Sequence, residues 1–107
     1  MSHTTIEDLA QAVAIQSGAV VSKVVHRNDD LDVTVFWFDA GEGLTEHTAA
    51  RPAIVQVLSG RLRITADGDE IDAIPSTWIH MSAGAPHSLE AVEPSVMLLT
   101  LLPPAPR

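Results

Sequence analysis

Apolar residues recur at helical spacing only near the start of this chain. Ile6, Leu9, Ala10, Val13 and Ala14 fall on one stripe of a 3.6-residue repeat. Thr4 or Thr5 stands where a helix cap belongs, Glu7 follows Thr4 by three as in a capping box, and Gly18 stops the run. The pattern predicts a short N-terminal α-helix over about residues 4–16. From Ala19 onward the period changes. Short β-branched and aromatic runs alternate with turn residues, which predicts strands over 20–26, 33–38, 53–58, 62–65, 71–74, 78–81, 87–92 and 96–102. Gly60, Pro75-Ser76 and Ala83-Gly84-Ala85-Pro86 separate several of them. Asp67-Gly68 is a hairpin signal of the type I′ kind.

About eight short strands with frequent turns indicate an all-β sandwich or barrel. Within it, Val96 to Leu102 is apolar on both faces. One face fills the barrel; the other needs cover from the N-terminal helix or from a second copy of the chain. A homodimer is therefore expected. The residues after 102, Pro103-Pro104-Ala105-Pro106-Arg107, predict an extended, poorly ordered tail.

Composition narrows the classes of function. The chain has 107 residues, enough for a single domain over 1–107 with one core. With 46% apolar and 19% charged residues it is globular rather than disordered. Six Lys+Arg against 14 Asp+Glu give a net charge of -8, which leaves no basic patch for nucleic acid or an anionic membrane. Cysteine is absent, so disulfides, thiolate metal sites and a Cys nucleophile are excluded. The first residues lack the basic and apolar regions of a signal peptide, and no apolar run reaches the ~18 residues of a membrane span. A cytoplasmic location is the expectation. There is no Gly-rich phosphate loop, no G-x-S-x-G elbow and no H-E-x-x-H helix.

Four motifs occur in a fixed order. They are Gly41-Glu42-Gly43-Leu44-Thr45-Glu46-His47, Val57-Leu58-Ser59-Gly60-Arg61-Leu62, Asp67-Gly68-Asp69-Glu70, and Met81 to Ala91, which contains Gly84-Ala85-Pro86-His87. Together with Val96 to Leu101 as closing strand, the set resembles the cupin superfamily. The resemblance is strong over about half the chain and follows its element order nearly throughout. It implies a double-stranded β-helix, the jelly-roll cupin barrel, over about 19–102. It also implies a place for a divalent metal. Aligned on Gly60 and on Pro86-His87, the first and last ligand positions are His47 and His87, and the other two fall on Ala49 and Ala53. Ser76 and Ser82 stand where the family has Gly and Pro.

Two imidazoles without a third donor are short of what a first-row metal in a catalytic site takes. The expectation is therefore no cofactor, or a weakly bound divalent transition metal on His47 and His87. The reading that follows is a small cupin binding a small molecule in the barrel, with His47, His87, Ala49, Ala53, Val55 and Val57 as its lining. On the strand from Ala53, the residues 53, 55 and 57 share a face, and small residues beside two polar groups make a pocket. The alternative is a metal-dependent oxygenase or isomerase using His47 and His87 with an incomplete ligand set. A metal-free acid/base enzyme would need an orienting carboxylate and an acid, yet Glu46 falls on the opposite face from His47 and the chain has no tyrosine. A purely interaction role, through the two-faced closing strand, also stays open. His80 is expected on one face with Trp78, and His26 as a solvated strand end. Asp67, Asp69, Glu70 and Asp72 are expected as a solvated hairpin, since EF-hand spacing is missing.

Overall fold

The computed structural model describes residues 2–14 and 16–104. Its strands are β1 (Val20–Arg27), β2 (Asp32–Phe38), β3 (Gly43–His47), β4 (Ala53–Ala66), β5 (Asp69–Ala73), β6 (Trp78–Met81) and β7 (His87–Leu101). All pairings are antiparallel.

β4 and β7 run side by side almost along their whole length and belong to two layers at once. Toward the end of β7, Ser95 to Leu101 lies between β2 and β4, and Ala53 to Gln56 of β4 lies between β7 and β6. This gives a five-stranded layer, β1-β2-β7-β4-β6. At the other ends, His87 to Glu90 lies between β3 and β4, and Leu62 to Ala66 between β7 and β5, giving a four-stranded layer, β3-β7-β4-β5. The register slips between Val57 and Leu62, where the strands pass from one layer to the other.

Hence the breaks predicted at Gly60 and between residues 92 and 96 do not end strands. They bend two long ones. Gly60 adopts φ +81, open to a residue without a Cβ, and Pro94, which has no N–H to give a ladder, takes no place in the register. Gly43 to His47 is an additional strand that the pattern does not predict.

The N-terminal α-helix is not formed. Only a 3-10 turn, Leu9–Gln11, is present, preceded by Asp8 rather than by Thr4 or Thr5, and Asp8 makes no side-chain cap. A helix of about 13 residues is marginal by itself in water, and here packing sets the backbone. Leu9, Ala12 and Val13 lie on the outer face of the five-stranded layer, against Val35, Val96 and Leu98. The apolar stripe is thus used, without the helix. Ile15, within the predicted helix, and residues 105–107 of the predicted tail lie outside the described residues. No helix among those described is long and apolar enough to cross a membrane.

The two-faced closing strand is explained by this packing. Met97, Leu99 and Leu101 turn inward to a core built on Phe38, Val55, Val57, Leu62 and Ile64, while Val96 and Leu98 turn outward beneath the N-terminal segment. Phe36 and Phe38 stack at 5.8 Å on the inner side, and Trp37 between them faces out.

The acidic hairpin is accounted for by pairing. Asp67 (φ 51) and Gly68 (φ 86) form the predicted tight turn. Arg61 donates to Asp72 at 2.7 and 2.8 Å, and Arg63 lies 3.3 Å from Glu70. The Arg61 hydrogen bonds hold the Asp72 carboxyl below its ordinary value.

Ser76 sits at φ 76, a left-handed backbone that a residue with a Cβ adopts at a cost of roughly 1–2 kcal/mol. Ser76→Gly removes that strain but frees the unfolded chain, so a net gain of about 0.5–1 kcal/mol is expected. Urea denaturation checks it: the midpoint rises at unchanged slope, and a fall shows that the Ser76 side chain holds the turn.

Candidate functional site

His47 and His87 are 40 positions apart in sequence and directly opposite one another in the β3–β7 register. Alternation along β7 puts His87, Leu89 and Ala91 on one face, and Leu89 and Ala91 belong to the core side. On β3, Leu44 also packs against that core, and His47 is three residues further on. In a regular strand, residues three apart face opposite sides. The register slips between Leu44 and His47, so one extra residue on β3 brings the His47 ring round to His87. The ring centroids are 4.2 Å apart and the planes meet at 67°, edge to face. His47 is exposed and His87 half-buried.

The backbone fixes the tautomer of both rings. His47 Nδ1 lies 2.7 Å from the Thr45 carbonyl oxygen, and His87 Nδ1 lies 2.9 Å from that of Ala85. A carbonyl only accepts, so each Nδ1 donates. In the neutral ring each Nε2 is left with its lone pair. The site therefore offers two acceptor nitrogens on neighbouring rings, each ring held by a carbonyl two residues before it.

The loops around the pair are tied together. The Gly84 N–H donates to the Ala49 carbonyl at 2.8 Å, joining the loop after His47 to the turn before His87. The Asp67 N–H donates to the Pro86 carbonyl at 2.8 Å, joining the β4–β5 hairpin to the residue before His87. Arg51 anchors the first loop from its other end. Its Nε donates to the Leu102 carbonyl at 2.7 Å and its Nη1 to Asp32 at 2.7 Å. Sequence reasoning did not single out Arg51. A lone Arg ahead of an apolar run gives no spacing that pairs it with an Asp 19 positions earlier and a carbonyl 51 positions later.

The remaining predicted lining residues are placed as follows. Ala49 is half-buried in the loop after β3. Ala53, Val55 and Val57 share the inner face of β4 and are 2–3% exposed, in the core with Phe38, Met81 and Met97. His80 stacks with Trp78 at 6.5 Å on the exposed face of β6, as alternation predicts. His26, expected as a solvated strand end, is instead half-buried. Another bulge, between Val24 and His26, sets it opposite Val33, on the outer face of the five-stranded layer.

These donors fall short of the divalent metal that the family resemblance implies. Among the described residues, no group of three or more His, Cys, Asp or Glu side chains is placed to hold a metal ion. Two neutral imidazoles with no carboxylate beside them do not fit the donor set of a transition-metal centre. What the pair does offer is hydrogen-bond acceptance at each Nε2.

No family model matches the chain, and no curated protein matches it. Solved structures do match. A conserved protein of unknown function from Streptococcus pyogenes is 35% identical, covers 99% of this chain and 93% of its own, and superposes with a TM-score of 0.85. A cupin 2 conserved barrel domain protein from Leptotrichia buccalis is 33% identical over 87% of this chain, with a TM-score of 0.81; this chain spans only 45% of that one. An RmlC-like cupin protein from Desulfovibrio desulfuricans is 26% identical over 96% of this chain and 100% of its own, with a TM-score of 0.84. The bent pair of long strands, the ordered motifs and these likenesses agree: the chain belongs to the cupin superfamily.

Proposed function

We propose that this cupin binds a small molecule at His47 and His87, without needing a metal of its own. The observation that carries the reading is the shared tautomer. Both Nδ1 atoms are engaged by backbone carbonyls, so both Nε2 atoms are free to accept. A pair of acceptors suits a ligand that brings donors, a hydroxylated or amino compound. Leu44 and Leu89, the strand neighbours of the pair, face the same core side as Ala53, Val55 and Val57 of β4. The reading extends to a homodimer through the part of the outer face that the N-terminal segment leaves open, around Trp78, which is 58% exposed.

The test has two arms, both on the full chain and on a His47→Ala/His87→Ala variant. The first measures metal in freshly purified, untagged protein and follows melting while Zn, Ni, Cu, Mn and Fe are titrated. The second follows melting against a panel of hydroxylated and amino metabolites. The expected result is no stoichiometric metal and a ligand that raises the melting temperature of the wild type but not of the variant. About one equivalent of metal per chain, lost in the variant, overturns the reading in favour of a metal-dependent oxygenase or isomerase. Sedimentation at micromolar concentration checks the dimer, and a monomer overturns that part alone.

A further inference from the structure

A concave site lies away from the histidine pair, where the N-terminal segment crosses the outer face of the five-stranded layer. It is an open groove of about 550 Å³. Such a volume is in the range of ordinary small-molecule sites, roughly 300–1,000 Å³. Ile6 and Leu9 form one wall, and Val33 and Leu98 the floor. His26, Asn28 and Thr100 also line it. Among the described residues, no Asp, Glu, Lys or Arg does. The chain has 14 acidic residues, and Asp29 and Asp30 directly follow Asn28, yet none of them reaches the lining.

Ser2, His3 and Thr4 complete the polar lining, and for Asn28 and His26 the hydrogen-bond roles are fixed. Asn28 Oδ1 accepts the backbone N–H groups of Asp30 at 2.8 Å and Leu31 at 3.0 Å. Those two bonds decide which end of the amide is oxygen. The other end, Nδ2, is 3.1 Å from His26 Nε2. An amide nitrogen only donates, so Nε2 accepts, and the neutral His26 ring carries its hydrogen on Nδ1. The Thr100 hydroxyl is another donor. The bulge that turns His26 toward Val33 is what brings this ring to the groove.

We propose that this groove binds a small monocarboxylate with an apolar body. The body lies on Val33 and Leu98 against Ile6 and Leu9, and the carboxylate accepts from His26. The absence of carboxylates from the lining removes the local repulsion that would otherwise exclude an anion from so acidic a protein. This site does not depend on His47 or His87, and its occupancy stands or falls separately from theirs.

Octanoate is the probe, titrated calorimetrically into the full chain, with 1-octanol as the uncharged comparison. His26→Phe keeps a planar ring and removes the donor. Ile6→Glu puts a carboxylate on the wall at a residue already 37% exposed, where folding is not at stake. Octanoate is expected to bind the wild type, to weaken about tenfold or more in His26→Phe, and to be lost in Ile6→Glu. 1-Octanol is expected to bind the wild type and His26→Phe alike, and the His47→Ala/His87→Ala variant to bind octanoate as the wild type does. No binding to the wild type, equal binding to all variants, or loss in the His47→Ala/His87→Ala variant overturns the proposal. So does a dimer that Ile6→Glu dissociates, because the groove is then filled by a second copy of the chain.

Discussion

Gly60→Ala is expected to destabilise the fold by about 3–5 kcal/mol, lowering Tm by roughly 15–30 °C for a domain of this size. Two costs add. At φ +81 an alanine is strained by roughly 1–2 kcal/mol. Its Cβ would also meet the Pro94 carbonyl oxygen, the Ser95 hydroxyl and, at 2.6 Å, the Ser95 Cα. These belong to the bend of β7 that lies against the bend of β4, and backbone cannot swing aside as a side-chain tip does. Ser95 is fully buried; its hydroxyl accepts the Arg61 N–H at 2.9 Å and donates to the Glu93 carbonyl at 2.7 Å. Pushing it away leaves buried polar groups unpaired, at roughly 1–3 kcal/mol. Gly68→Ala separates the terms: its φ is +86, but nothing lies within 4 Å of an added Cβ. It should lose only the backbone part, about 1 kcal/mol. Equal losses at positions 60 and 68 would show that the close approach at the bend contributes nothing.

That bend also shows how far the sequence can be read. The runs 53–58 and 62–65 are legible as strands because their alternation matches the pleat. That they form one strand is not, because glycine and proline mark a turn and a bend with the same residues. The difference lies in Ser95, more than 30 positions away, whose hydroxyl reaches back to Arg61. The N-terminal segment was legible by residue and not by element. Leu9 and Val13 are apolar because they cover Val96 and Leu98, and a single turn between them suffices. The motifs pick out His47 and His87, but not their register, since a strand alternation counted from Leu44 sends His47 to the wrong face. The extra residue before His47 corrects it, as the one before His26 turns that ring to its groove. In each case a bulge aims the side chain, and a bulge has no composition of its own.

Gly43→Ala tests whether the histidines act as a pair. A Cβ at Gly43 would meet the Leu89 carbonyl oxygen and come within 2.9 Å of the Glu90 Cα. Leu89 and Glu90 are held on their other side by Ile64 and Arg63 of β4, so β7 cannot yield. β3 has only five residues and pairs with β7 alone, so β3 must move. The expected cost to global stability is smaller than at Gly60, about 1–3 kcal/mol, because opening is confined to this edge. The site loses its pairing as well. His47 leaves its position opposite His87, and binding of any ligand held by both rings falls by roughly tenfold, the loss of one hydrogen-bond energy. Each ring keeps its own Nδ1 bond, to Thr45 or to Ala85, because those carbonyls belong to the same segment as the ring. The variant thus separates two intact imidazoles without removing either. Cross-relaxation between the two rings should vanish, and amide exchange should rise along β3 but not along β4. If ligand binding survives while those signals change, one histidine is enough, and the pairing across β3 and β7 is not what makes the site.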